Sequence, residues 1–249
     1  AQITRGVFLF VGTSGIGKTE LARALADFLF PEGDNLIKLD MAEFSEKFTS
    51  SRLVGAPPGY SGHGEEGQLT GPLRLRPYTV VLLDEFEKAH QDVQAMFLSL
   101  FEEGMLTDAD GRRIQAREAF FVLTTNAGAD ESGKGRVGFG GSSSEAQRDV
   151  AMSRIRRTFR PELLNRLDDI ITFNPLGPQA LASIVQLNLE GLRTRAAEAG
   201  IEISWDDGVV AKIVAHHPDA SYGARPALRA IDELMGEPLG RLLLDVPSH

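Results

Sequence analysis

Lys18 and Thr19 close the string Gly12-Thr13-Ser14-Gly15-Ile16-Gly17-Lys18-Thr19, which directly follows the apolar run Val7-Phe8-Leu9-Phe10-Val11. The pattern is G-x-x-x-x-G-K-[ST], a loop between a buried strand and a helix whose backbone N–H groups can wrap phosphate oxygens. Glycine suits such a loop because the chain turns sharply and approaches its ligand with no Cβ in the way. Lys18 can then reach β- and γ-phosphates, and Thr19 can offer its hydroxyl to Mg²⁺. A second pair of candidates stands at Asp84-Glu85, at the end of the run Val80-Val81-Leu82-Leu83, which reads as a central parallel strand. Carboxylates at the carboxyl end of such a strand face the crevice where ligands bind. Asp84 can hold Mg²⁺, directly or through water, and Glu85 can polarise an attacking water. A solvated acidic turn is the plainer account of the dipeptide taken alone. The buried run Phe120–Leu123 leads into Thr124-Thr125-Asn126. Asn126 either senses a γ-phosphate and orients water or merely satisfies the strand end.

These side chains need a scaffold. Leu21, Leu25, Phe28 and Leu29 recur at helical spacing, so Thr19 to Phe30 reads as an amphipathic helix stopped by Pro31 and Gly33. Leu36 to Asp40 alternates like a short strand, and strand, phosphate loop, helix, strand opens a parallel α/β sheet. From Leu53 to Pro72 glycines and prolines punctuate a long loop. Tyr60 lies inside it, between Gly59 and Ser61, as an anchor that packs the loop down or as an exposed grip on a partner. Val93, Met96, Phe97, Leu100 and Phe101 give a helix buried along one face, and Asp110-Gly111 marks a hairpin within Gly104 to Gln115. Ala127 to Ser144 is rich in Gly and Ser but holds Val137-Gly138-Phe139, either a loose tether or a docking peptide. Arg148 to Phe159 is expected to be a helix, Pro161 starts the next, and Arg166 precedes the strand Ile170 to Phe173.

Near Pro175 the character changes. A long helix from Pro178 to Ala199, a short strand from Ile201 to Trp205, a helix from Asp206 and another opened by Arg225-Pro226 describe a mostly helical region. The fold class expected is therefore α/β, with a parallel sheet flanked by helices over residues 1–174 and a smaller, mostly helical domain over 175–249.

The net charge of −9 over 249 residues disfavours a role based on gripping a nucleic acid backbone. No cysteine is present, which excludes disulfides and thiolate metal sites and fits a cytoplasmic setting. The longest apolar runs are far short of a membrane span. Only six residues precede the first strand, so the chain reads as a piece of a longer protein.

At this point the chain resembles the Clp family of AAA+ protein unfoldases, and within it the second ATPase module of the double-ring members. The resemblance runs through GTSGIGKTELARALA, LDMAEFSEKF, RLVGAPPGY, EEGQLT, RPYTVVLLDEFEKAH, GMLTDADGR, FRPELLNRLDDI and YGARPALRAI, in one order along nearly the whole chain. It implies a homo-hexamer that binds ATP and Mg²⁺ at subunit interfaces and threads unfolded or tagged polypeptide through a pore. It implies that Gly12 to Glu20 binds nucleotide, that Thr19 and Asp84 hold the metal, and that Glu85 activates water. Asn126 resembles the first sensor of the γ-phosphate. Arg225 resembles the second, carried by a helical lid whose angle reports nucleotide state. Arg166 resembles the arginine finger that acts on the neighbouring subunit's ATP, a group typically worth about 10³ to 10⁵ in rate.

Gly59, Tyr60, Ser61 and Gly62 resemble the substrate-gripping pore loop, with Ser61 where the family carries an aliphatic residue, so that grip would come mainly from the Tyr60 ring. Gly104 to Arg113 resembles a second pore loop, with Asp108 and Asp110 its polar contacts. Val137, Gly138 and Phe139 resemble the tripeptide that docks onto a barrel-shaped Clp-type peptidase. Gly71-Pro72 departs from the helix formers usual there and should break or restart the helix after the pore loop. The segment that closes over adenine in the family, and the family's final strand, are both missing from this chain. A stand-alone disaggregase or secretion-apparatus remodeller remains an alternative, as do a nucleic-acid motor and a nucleotide-gated scaffold on the same core. The presence of Glu85 and Arg166 speaks against the scaffold.

Overall fold

Apolar runs bounded by turn residues become strands, and the periodic stretches between them become helices, in the computed structural model of residues 4–56, 66–127, 144–206, 208–216, 223–238 and 240–241. In chain order these are β1 (Gly6–Val11), α1 (Lys18–Leu29), β2 (Leu36–Asp40), α2 (Ser50–Val54), α3 (Thr70–Leu75), β3 (Val80–Asp84), α4 (Gln91–Glu103), β4 (Met105–Thr107), β5 (Arg113–Gln115) and β6 (Phe120–Thr125). They continue as α5 (Ser144–Thr158), α6 (Pro161–Leu164), β7 (Asp169–Thr172), α7 (Pro178–Glu198), α8 (Gly208–His216) and α9 (Arg225–Ile231), followed by a π-helical turn over Asp232–Gly236.

By contact the chain divides into two units, residues 1–12 with 18–173 and residues 13–17 with 174–249. The first unit is a five-stranded parallel sheet in the order β2-β3-β6-β1-β7, with the two-stranded antiparallel ribbon β4-β5. Its register lines up Ile37, Val81, Phe121 and Val7 in one row and Leu39, Leu83, Leu123 and Leu9 in another. All eight lie in the cluster that includes Phe86, Phe97 and Leu100. Leu82 and Val122, one residue out of phase, face the other way and join Ala22 and Ala26 of α1. Both faces are thus covered, which is why these strands read as continuous apolar runs rather than as alternations.

Two expectations need correction. On α1 the residues buried against the sheet are Ala22 and Ala26, while Leu21 is exposed and Phe28 is 81% exposed. Small side chains let the helix axis lie close to the strands, and the larger ones are left at the margin. Residues 201–206 form no strand, although Trp205 packs into the helical core. Among the described residues nothing pairs with them, and alternation without a ladder partner makes no sheet. Of the two outcomes expected at Gly71-Pro72, a broken or a restarted helix, the structure has the restart, in α3 (Thr70–Leu75). Pro72 is the third residue of α3, inside the first turn, where its missing N–H has no intrahelical partner to lose. A Cβ at Gly71 would stand 2.7 Å from Glu66 Oε2, so a larger residue there would have to displace the carboxylate that pairs with Arg74.

The second unit has its own core, built from Leu181, Val185 and Leu189 of α7, Ile213 of α8, and Ala227 and Ile231 of α9. Pro178 and Pro226 each sit in the first turn of their helices, as expected of a residue that fixes helical φ and has no N–H to lose there.

Candidate functional site

In the first unit, three neighbouring strands deliver polar residues at their carboxyl ends. β1 ends at Val11 and runs into Gly12, whose N–H donates to Thr125 O at 3.2 Å, holding the start of the loop against β6. Lys18 opens α1 and is only 7% exposed. Its Nζ donates to Gly12 O at 2.5 Å and to Asn126 Oδ1 at 2.9 Å. Asn126 Nδ2 donates in turn to Glu85 Oε1 at 3.1 Å, and Lys88 Nζ donates to Glu85 Oε2. Lysine, amide, glutamate and lysine therefore form one line of bonds.

Asp84 joins through a residue that the sequence reading named only as part of a strand end. Thr124 Oγ1 donates to Asp84 Oδ1 at 2.5 Å and accepts from the Glu85 N–H at 3.0 Å. Asp84 Oδ2 lies 3.6 Å from Lys38 Nζ on β2. Glu85 has left the strand and sits at φ 55°, ψ 51°, a left-handed conformation uncommon for a residue with a Cβ. Glu87 Oε1 accepts from the Asn126 N–H at 3.0 Å, while its buried Oε2 has no partner among the described residues. The Glu85 carboxylate bonded to Lys88 holds that ammonium above the ordinary lysine value against an opposing effect of burial, and the charges of Glu85, Glu87 and Asp40 add to the rise.

In the second unit, Gly15 lies at φ 81° and Gly17 at φ 101°, conformations that glycine tolerates best. Ala224 N donates to Gly15 O at 3.0 Å, and Arg225 Nη1 donates to Ser14 Oγ. Gly223 makes this approach possible, since a Cβ there would lie 2.4 Å from Gly15 C and O.

Other candidates fall elsewhere. Arg166 is tied to Glu102 of α4, with Nη2 at 2.8 Å and Nε at 3.1 Å from Oε1. Thr19 is half-buried in the first turn of α1, and Glu20 beside it is 77% exposed and 3.9 Å from Arg23. Gly59, Tyr60, Ser61 and Gly62, and Val137, Gly138 and Phe139, lie outside the described residues. In the proposed second pore loop, Asp108 Oδ1 accepts from the N–H groups of Asp110 and Arg112, so Asp108 shapes the turn itself. The sequence reading missed Thr124, Glu87, Lys88, Lys38 and Glu102 as partners. For Thr124 a signal did exist, a hydroxyl in register with Asp84 at the end of an adjacent buried strand.

Residues 4–170 match the model of the AAA domain (Cdc48 subfamily), and residues 176–248 match the C-terminal, D2-small domain of ClpB protein. The chain belongs to the AAA+ family. It has the domain pair of a Clp second module. This AAA+ module is 46% identical over 245 residues to the ATP-dependent Clp protease ATP-binding subunit ClpC of Staphylococcus saprophyticus, covering 96% of the module and 30% of that protein. It is equally similar to ClpC of Staphylococcus epidermidis. A closed-state cryo-EM reconstruction of Hsp104 with ATPγS and FITC casein matches 97% of the module and 42% of that chain, with a TM-score of 0.84 and 34% sequence identity. The module thus spans about a third of the length of the curated relatives it matches. Membership of the family implies nucleotide binding. No described helix is long and apolar enough to cross a membrane.

Proposed function

We propose that this AAA+ module hydrolyses ATP and uses the cycle to move polypeptide, as part of a hexameric Clp-type unfoldase. The observation that carries the reading is the bonded line from Lys18 through Asn126 to Glu85, with Asp84 joined to Glu85 by Thr124. The residues fit a nucleoside triphosphate with Mg²⁺. Thr19 and Asp84 are oxygen donors of the kind Mg²⁺ selects, and the loop glycines at positive φ leave backbone N–H groups and a helix N-terminus for phosphate. Mg²⁺ held there would supply positive charge to the β- and γ-phosphate oxygens.

The chain's own residues then divide the work. Lys18 neutralises phosphate charge. Glu85 accepts a proton from the attacking water, and Asn126 holds that carboxylate on one side while bonded to Lys18 on the other. Arg225 acts as a second sensor, an assignment favoured by its bond to Ser14 in the loop. Arg166 serves a neighbouring subunit, which would have to draw it away from Glu102. Tyr60 with Gly59, Ser61 and Gly62 grips the substrate, and Val137, Gly138 and Phe139 dock a Clp-type peptidase. We also propose 174/175 as the domain boundary and a cytoplasmic setting. The ClpC relatives are named as protease subunits, and the Hsp104 reconstruction is titled with casein, which favours a protein substrate over nucleic acid.

Glu85→Gln tests the reading. Hydrolysis should fall at least 100-fold, about the lower end of what a positioned general base contributes, while binding of a fluorescent ATP analogue stays at the wild-type level. Equal loss of binding and turnover would count against a role for Glu85 in activating water.

A further inference from the structure

The geometry points to Thr124 as the residue that positions both acidic groups of the proposed site. A threonine hydroxyl has one proton to donate and two lone pairs. At Thr124 the proton goes to Asp84 Oδ1 and a lone pair takes the Glu85 N–H, in a side chain with no exposed surface. Among the described residues this hydroxyl is the one side-chain group bonded to both Asp84 and the Glu85 N–H.

Two consequences follow. The bond to Oδ1 pins the Asp84 carboxylate about its last torsion and leaves Oδ2, now 3.6 Å from Lys38 Nζ, as the oxygen presented to a cation. The bond to the Glu85 N–H satisfies an amide that has left the β3 ladder, at a residue held in the left-handed region. That backbone conformation decides where the Glu85 side chain starts from, and hence whether Oε1 meets Asn126 Nδ2. The register explains why β6 supplies the hydroxyl. Leu83 pairs with Leu123, so Thr124 is the next residue along, level with Asp84. Partners one step behind a metal ligand or catalytic group typically change affinity or rate 10- to 100-fold when removed.

This inference rests on the proposed roles of Asp84 and Glu85. In the full-length protein, binding of a fluorescent ATP analogue is followed as Mg²⁺ is titrated, and steady-state hydrolysis is measured alongside. Thr124→Val keeps the shape and removes the hydroxyl. It should raise the Mg²⁺ concentration for half-maximal binding and lower kcat, each by about 10- to 100-fold, with binding in EDTA unchanged. Thr124→Ser, which keeps the hydroxyl and loses the methyl, should recover both. Wild-type Mg²⁺ dependence and kcat in Thr124→Val, or a serine variant as impaired as the valine one, overturns the inference. If the valine variant does not fold, Thr124→Ala is compared with Thr124→Ser in the same way. Asp84→Asn separates the two levels of argument. If it leaves the Mg²⁺ requirement unchanged, the metal reading itself fails. If it raises the requirement and loss of the Thr124 hydroxyl does not, only the role of Thr124 falls.

Discussion

Asn126 has its amide orientation set by its neighbours. Lys18 can only donate and the Glu85 carboxylate can only accept, so Oδ1 must face the ammonium and Nδ2 the carboxylate. Aspartate at this position would place two carboxylates together, and Asn126→Asp should reduce hydrolysis at neutral pH more than Asn126→Ser does; equal losses would show that the amide's donor is not what matters. Lys88 bears on the other side of Glu85. Because its folded-state value is raised above that of free lysine, its stabilising contribution is fully present below the free-lysine value of 10.5 and is lost as pH rises through the raised one. The difference in Tm between wild type and Lys88→Met should therefore stay constant from neutral pH to about 10 and shrink above it. A difference that shrinks between roughly pH 6 and 9 would show that another group titrates there.

At the scale of elements, α1 shows that helical periodicity tells less than which side of a helix has room. Leu21, Leu25, Phe28 and Leu29 make a fair apolar stripe, yet the positions fully enclosed by the sheet are the alanines. Overpacking that seam should be costly and trimming the margin should not. Ala26→Leu is expected to lose about 1–3 kcal/mol and Phe28→Ser less than about 0.5 kcal/mol in chemical denaturation. The reverse order of midpoints would mean that Phe28 is covered. The β4-β5 ribbon is tied to the end of α2 by the Ala109 N–H, which donates to Val54 O at 3.0 Å. The stem of the proposed first pore loop and the turn of the second are thus bonded to each other within the first unit.

For the whole molecule, the role proposed for Arg166 would complete the site from a second chain. Arg166 is held by Glu102 in an exposed pair, a kind of contact worth only about 0–1 kcal/mol, so releasing it to a neighbour's triphosphate is cheap. If it acts in trans, Arg166→Ala and Glu85→Gln each abolish turnover, and mixed hexamers of the two regain part of it. Some interfaces then pair an intact Glu85 with an intact Arg166. Mixtures as inactive as either parent would place the arginine's role inside its own subunit.

The sequence by itself made the strands that form and most helices legible, because runs such as Val80–Leu83 and stripes such as Ala151, Ile155 and Phe159 carry their apolar pattern locally. It also determined which residue types could meet a phosphate chain, since the loop from Gly12 to Thr19 carries its spacing in the chain. Tertiary structure decided the rest. The bond from Thr124 to Asp84, the meeting of Lys18 with Asn126 and the pairing of Arg166 with Glu102 join residues 40, 108 and 64 positions apart. Such contacts are set by strand order and register, which no local pattern encodes. The strand expected at 201–205 failed for the same reason: a strand exists only when another lies beside it.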